Sequence, residues 1–309
     1  MEERIRKWLE ALMEIPSPTG HEEAIQLYLR ENLRRLGFES ELQEVAPSRP
    51  NLLAWRGESP LLIATHSDTL PTSHYTLREE GPFLCGPGVA DAKGQIAALL
   101  SVLELNHLPI NVAFTVDEED KGEGSRNLRL PPWVRMAVVL EPTELRVAVA
   151  QSGSLDLELN IRGKKSHGAC PGAGVNAILR AFEALLKIQA LDFMRVEHPL
   201  LGKPHIMPYW FSGGHPELYL VPDEALVRLD VKLVPPLLPE EVLAEMERAV
   251  SGYGHIRVLD QDPPFEISPQ AGVVRILREA IRQALGREAE LSGMPSWTDA
   301  EPIYHLSLI

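Results

Sequence analysis

Four short stretches carry the residues able to do chemistry: His66-Ser67-Asp68, Asp91 within CGPGVADAKG, Asp117-Glu118-Glu119, and Glu141-Pro142-Thr143. One imidazole and several carboxylates make a nitrogen and oxygen donor set suited to zinc, with cobalt or manganese also able to fill it. A carboxylate shared between two such ions holds them roughly 3.5 to 4 Å apart, an arrangement that activates a water and polarises a carbonyl. One acid must then stay off the ions to act as general base, and the two adjacent glutamates serve those two jobs. Each stretch also has a plainer reading. A loop histidine is commonly just solvated, and Asp68 orients its ring only if the ring binds something. Asp91 stands in a Gly-rich turn before a helix, where a carboxylate serves as an N-cap. Acid runs are commonly solvated faces, although three adjacent like charges at a strand end are unfavourable without a cation. Glu141 closes an apolar strand and wants a counterion.

The elements that must position these residues are legible as patterns. LLIATH reads as a buried strand ending at His66, NVAFTV as the next ending at Asp117, and MAVVLE as a third ending at Glu141, with a helix over KGQIAALLSVLELN. Short apolar runs alternating with helical stretches imply an α/β arrangement with a largely buried sheet. Open sheets of that kind bind ligands at the carboxyl ends of their strands, so His66, Glu118, Glu119 and Glu141 are expected to share one crevice. Before this region, Ile5, Trp8, Leu9, Leu12 and Met13 fall on one helical face, Pro16 to Gly20 stop that helix, and Leu27, Leu29, Leu33 and Leu36 are expected to bury a second. After it, LDLELNIRG and EALVRLDVKLV alternate as strands, while GVNAILRAFEALLKIQAL and PEEVLAEMERAVSGYG have helical spacing. These elements predict an α+β unit with helices on one sheet face, inserted at about residue 153 and leaving near 262. A further helix, GVVRILREAIRQALG, follows.

Composition bounds the rest. A chain of 309 residues has room for two domains. A formal net charge of -14 without any Lys/Arg cluster argues against a nucleic-acid binder. Only Cys85 and Cys170 are present, far apart and outside any CxxC pattern, which fits structural thiols in a reducing compartment. No signal-peptide pattern opens the chain and no apolar run approaches a membrane span, so a cytoplasmic location and no membrane partner are expected.

Six motifs in order, HSD at 66 to 68, GPGVADAKG at 86 to 94, DEEDKGEGS at 117 to 125, EPT at 141 to 143, SHGACPGAGVNAI at 166 to 178 and TDA at 298 to 300, resemble those of the M20 metallopeptidase family. The family includes acetylornithine deacetylase, succinyl-diaminopimelate desuccinylase, aminoacylase and glutamate-releasing carboxypeptidases. The resemblance covers nearly the whole chain. It implies a zinc-exopeptidase-like α/β catalytic domain, with a central mixed sheet flanked by helices, over 1–152 and 263–309. It also implies an inserted α+β lid and dimerisation domain over 153–262. His66 would bind a first zinc with Asp68 behind it, Asp91 would bridge two ions, Glu141 would complete the first site, and Glu119 would bind the second ion. Glu118 would be the general base. His167, in the lid, would reach into the partner subunit's site and stabilise the oxyanion, so activity would require a homodimer. Lys232, Asn176 and Thr298 would help bind an N-acyl amino acid or small-peptide substrate.

Several positions depart from the family pattern. Pro87 replaces the Arg of GRG, Tyr219 the Asn of NVVP, and Lys232 the Arg of a DxR strand. Lys keeps a positive charge but loses the bidentate fork. The family's last ligand of the second zinc is a His beyond a Gly-Pro-Gly loop, whereas this sequence closes on SWTDAEPIYHLSLI with His305 close behind Asp299. The expectation is therefore a chain cut short before that ligand, with one tightly held zinc and a second weak or absent, and His305 as the candidate substitute. Two functions follow: an active metal-dependent amidohydrolase or peptidase, or an impaired relative that folds and dimerises with little turnover.

Overall fold

The computed structural model describes residues 1–73 and 75–307. Its contacts divide the chain into two compact units, Met1–Leu145 with Thr298–Ile309, and Arg146–Trp297. Among the described residues no helix is long and apolar enough to cross a membrane.

The first unit opens with helices α1 (Glu2–Met13) and α2 (Glu23–Arg35), then strands β1 (Glu39–Ala46), β2 (Arg49–Arg56) and β3 (Leu61–His66). A short hairpin, β4 (Arg78–Glu80) and β5 (Phe83–Cys85), precedes α3 (Lys93–Leu105), β6 (Ile110–Thr115), α4 (Glu123–Arg126) and β7 (Met136–Val139). The five-stranded sheet has the order β1-β2-β6-β3-β7. Strands β6, β3 and β7 run parallel, while β1 and β2 pair antiparallel on one side. Adjacent residues of β2 face opposite sides, and both sides are apolar. Leu52 packs with Leu12, Leu29, Ile96 and Phe114, and Leu53 packs with Leu62, Ala113, Leu128 and Ile303. The second group includes the helix Ala300–Ser307.

The helical faces follow the sequence with one difference. Leu9, Leu12 and Met13 are buried in α1, and Ile25, Leu29 and Leu33 are fully buried in α2. The α2 stripe therefore runs through 25, 29 and 33, four residues apart, which turns Leu27 outward at 45% exposure. Truncating Leu29 to Ala would remove contacts worth about 2–5 kcal/mol.

The second unit contains β8 (Val147–Gln151), β9 (Gly153–Arg162), β10 (Ser166–His167), α5 (Ala177–Gln189), β11 (His205–Gly213), β12 (Leu220–Val221) and β13 (Glu224–Leu233). It continues through α6 (Pro239–Val250), β14 (Gly254–Asp262), β15 (Phe265–Glu266), α7 (Gly272–Leu285) and β16 (Leu291–Met294). An antiparallel sheet of order β11-β13-β9-β14 carries α5 and α6 on one face. The alternation read from the sequence is explicit there. Leu155, Leu157, Leu159 and Ile161 of β9 are fully buried against the helices, while Asp156 and Glu158 point to the other face. A smaller sheet, β15-β8-β16, packs Val147 and Val149 against Val274 of α7.

Candidate metal centre

The parallel strands β6, β3 and β7 are neighbours, so their carboxyl ends lie side by side. His66 is the last residue of β3, Asp117 stands two residues beyond β6, and Glu141 two beyond β7. The backbone continues the pairing past β7, with the Leu140 N–H donating to the Ala64 carbonyl at 2.8 Å. The convergence expected from three strand ends is thus built by one parallel sheet.

His66, Asp91 and Glu141 each place a ligand atom within 4.8 Å of the others. Asp91 does not cap α3, whose first turn takes no side-chain cap. Its Oδ1 instead lies 2.9 Å from His66 Nε2. Two features hold that turn. At Gly88, which has a positive φ of 76°, a Cβ would lie 2.6 Å from the Thr69 methyl, so only glycine lets the loop pass. Lys93 is fully buried and donates Nζ to the carbonyls of Leu12 at 3.1 Å and Ile15 at 2.7 Å, stitching the turn to the end of α1. Burial brings the Lys93 ammonium down to about 8.

The tautomer of His66 follows from its partners. Nδ1 lies 3.0 Å from the Asp68 backbone carbonyl, which can only accept, so Nδ1 carries a proton. The neutral ring then presents an Nε2 lone pair to the Asp91 carboxylate. That juxtaposition is favourable only if Nε2 is protonated or a cation lies between the two. Burial works to discharge His66, but its bonds to Asp68 and Asp91 outweigh burial and hold the ring well above its usual range. Among the described residues Glu141 Oε1, which is buried, has no hydrogen-bond partner, and burial, opposed by His66 and reinforced by Asp91, Asp299 and Glu119, pushes the Glu141 carboxyl up to about 8. An orphaned carboxylate oxygen beside a ring nitrogen that faces a second carboxylate at 2.9 Å fits a divalent ion.

Glu118 and Glu119 lie outside that trio but within its field. Burial pushes Glu118 far up, His66 pulls it back, and Asp299, Glu141 and Asp68 add to the rise. Glu119 is raised in the same way, by burial first, with His66 and the Leu70 N–H opposing Asp91 and Asp68. The turn is held from one side by Asp68, whose Oδ1 and Oδ2 accept the backbone N–H of Glu118 and of Glu119, both at 3.2 Å, while Thr19 donates to Oδ2 at 2.9 Å. Burial opposes the Asp68 charge, yet its bonds to His66, Thr19 and the Glu119 amide keep it below the ordinary carboxylate range. On the other side Arg49 donates to Glu22 and to Asp117. Its bonds to Glu22, opposed by burial and joined by Asp117, hold the guanidinium above its usual range.

Sequence reading missed three members of this neighbourhood: Lys93, Arg49 and Asp299. Asp299 is buried and accepts from Thr115 Oγ1 at 2.5 Å through Oδ2. Burial, against bonds from Ser125 and Thr115, raises its carboxyl. The TDA motif drew attention to Thr298, which is buried and accepts from the Ala300 N–H at 3.2 Å. A signal for Asp299 existed in that motif, whereas Arg49 stood in none.

The remaining expected residues lie in the second unit. His167 is exposed on β10, with Nδ1 accepting the Ala169 N–H at 3.2 Å. Asn176 is the N-cap of α5, its side-chain oxygen accepting from Ile178 and Leu179. Lys232 pairs with Asp230 at 3.3 Å. His305 pairs with Glu301 at 3.1 Å, and its side chain is 62% exposed. It is not part of the His66 cluster.

Residues 62–306 match the model of peptidase family M20/M25/M40, and the chain belongs to that family. It is 35% identical over 288 residues to an acetylornithine deacetylase of Erwinia tasmaniensis, a match covering 84% of this chain and 74% of that protein. It is 33% identical over 214 residues to carboxypeptidase G2 of a Pseudomonas species, covering 60% and 51% of the two chains. The matched stretches thus span between half and three quarters of those relatives. Among solved structures, a tripeptidase from Staphylococcus aureus shares the fold with a TM-score of 0.84 at 24% identity, over 99% of this chain and 87% of that one. The family is one of metal-dependent hydrolases, and this chain carries a His/Asp/Glu cluster able to hold a metal ion.

Proposed function

We propose that the protein is a zinc-dependent amidohydrolase that cleaves the amide bond of an N-acyl amino acid or small peptide. The observation that carries this reading is the facing of His66 Nε2 and Asp91 Oδ1 across 2.9 Å, with Nδ1 already committed to Asp68. Relatives named as a deacetylase and a carboxypeptidase support the substrate class. His66, Asp91 and Glu141 would hold one ion tightly, and Asp91 with Glu119 would offer a second ion a weaker place. A bound ion supplies a water of lowered pKa and polarises the scissile carbonyl.

The chain's own groups do the rest. Glu118 takes the proton of the attacking water on its carboxylate and delivers it to the departing amine. With a cation beside it, the carboxyl that burial and its acidic neighbours push up becomes ionised and able to accept that proton. Asp68 fixes the His66 tautomer and holds the Glu118 and Glu119 amides. Lys232 supplies a positive charge for a substrate carboxylate, with Asn176 and Thr298 completing the substrate contacts. His167 stabilises the oxyanion in the site of a partner subunit.

Dimerisation is supported by exposed apolar side chains on the second unit: Leu179, Phe182 and Leu186 of α5 are exposed, and Phe182 stacks on the exposed Phe211 of the edge strand β11. Residues 153–262 serve as the lid, and 1–152 with 263–309 as the catalytic part. Two unpaired cysteines fit a cytoplasmic setting.

A panel of N-acetyl and N-succinyl amino acids and dipeptides, assayed with zinc or cobalt and with chelator, tests the reading. Release of amino acid that requires the ion supports it. Absence of turnover on every class with the ion bound contradicts it.

A further inference from the structure

Asp117 sits at φ 70°, in the left-handed region that aspartate tolerates but seldom occupies without a reason. The reversal turns the chain between β6 and α4, so it decides where the next two side chains, Glu118 and Glu119, stand. Its carbonyl accepts from Gly122 at 2.6 Å and Asp120 at 3.3 Å, and its Oδ2 accepts from the Glu123 N–H at 3.3 Å. The shortest side-chain bond in the turn comes from outside it: Arg49 Nη2 donates to Asp117 Oδ1 at 2.6 Å. The same guanidinium grips Glu22 through Nε at 2.9 Å and Nη2 at 2.5 Å. Glu22 is fully buried, and its Oε1 also accepts from Gly20, so it is a fixed post.

We infer that Arg49 is a positioning residue for Glu118 and Glu119. By clamping Asp117 to Glu22 it sets the left-handed turn from which both glutamates reach the His66, Asp91 and Glu141 cluster. The inference rests on the proposed hydrolase reading for the roles of the two glutamates. The turn has two anchors of unequal strength. The Asp68 carboxylate accepts the Glu118 and Glu119 amides at 3.2 Å, whereas the Arg49 contact is shorter, at 2.6 Å, and joins two full charges. Electrostatics argues the same way. Asp117 is followed directly by Glu118, Glu119 and Asp120, so its charge weakens the turn unless Arg49 neutralises it. A lysine could neutralise but not grip both acids, because its ammonium lacks the planar fork that here makes three bonds.

The test uses the full chain as Arg49→Lys and as Asp117→Asn, which removes the charge Arg49 holds while keeping size. Backbone amide exchange is followed in the metal-free protein, and kcat, KM and melting temperature are measured with zinc. For Arg49→Lys, amides 118–124 should exchange about tenfold faster or more, while 97–103 of α3 stay within about twofold of wild type. The kcat should fall about tenfold or more, with KM within about threefold. Asp117→Asn should move both in the same direction and decides the matter if Arg49→Lys does not fold. Exchange rising equally in α3, or kcat per folded molecule within about twofold of wild type, overturns the inference and leaves Arg49 a fold-stabilising ion pair. If the wild type itself turns over no substrate, the hydrolase reading fails, and the exchange comparison still decides whether Arg49 orders the turn.

Discussion

The carboxylate of Asp68 accepts the backbone N–H of Glu118 at 3.2 Å, while the Asp68 carbonyl takes the Nδ1 proton of His66 at 3.0 Å. One residue therefore fixes both a metal-facing ring and the placement of the acid read as general base. Asp68→Asn keeps the backbone carbonyl and hence the His66 tautomer, but it turns an NH2 toward one of the two amides. We expect kcat to fall by about 10- to 100-fold and ion affinity to fall less, a split that steady-state kinetics and a cobalt titration resolve.

The metal-free protein should lose stability as pH rises. Glu118, Glu141 and Asp299 have folded pKa values above their unfolded ones, so folding favours their protonated forms. That contribution is complete below the unfolded value of about 4 and is lost as pH climbs through the folded values, about 8 for Glu141. His66, also raised, acts in the same sense, whereas the lowered Asp68 contributes stability that is lost on strong acidification. Thermal melts with chelator should show Tm falling by ~5 °C or more between pH 5.5 and 8.5, and added zinc should abolish most of that fall. A metal-free Tm that climbs over this interval contradicts the account of the site.

His305 should be dispensable for the tightly held ion. It pairs with Glu301 and its side chain is largely exposed, so His305→Ala should leave ion affinity within about twofold of wild type. Metal analysis should give one tight ion per chain. A second tight ion lost in His305→Ala would contradict both statements.

Leu186 is 66% exposed on α5, beside the exposed Phe182 that stacks on Phe211 with ring centroids 5.7 Å apart. If α5 carries the proposed dimer interface, Leu186→Glu should fold normally and sediment as a monomer where wild type sediments as a dimer, because a charge within an apolar interface is uncompensated. If His167 serves the partner's site, kcat should fall about tenfold or more in the monomer.

The parts of the site legible in the sequence are those set by strand ends. LLIATH ends at His66 as β3 does, and the runs toward Asp117 and Glu141 name the neighbours of β3 in the sheet. Period-2 alternation likewise foretold which residues of β9 face the helices, while Glu158 on the other face is buried by its pairing with Arg228 and Arg257. What the sequence left unread depends on distant pairings that no local period encodes. Arg49 meets Asp117 across 68 positions, and Thr115 meets Asp299 across 184. Lys93 read as the polar start of a helix and is fully buried, because two carbonyls at the end of α1 receive its ammonium.

The most direct test is turnover by Glu118→Gln beside wild type, with bound zinc measured on the same samples. The account predicts that the wild type hydrolyses an N-acyl amino acid or dipeptide only with the ion bound. It predicts that Glu118→Gln holds the ion at His66, Asp91 and Glu141 while its kcat falls by about 10² to 10⁴. Hydrolysis that persists in chelator, or a zinc-loaded Glu118→Gln protein that retains wild-type kcat, would contradict it.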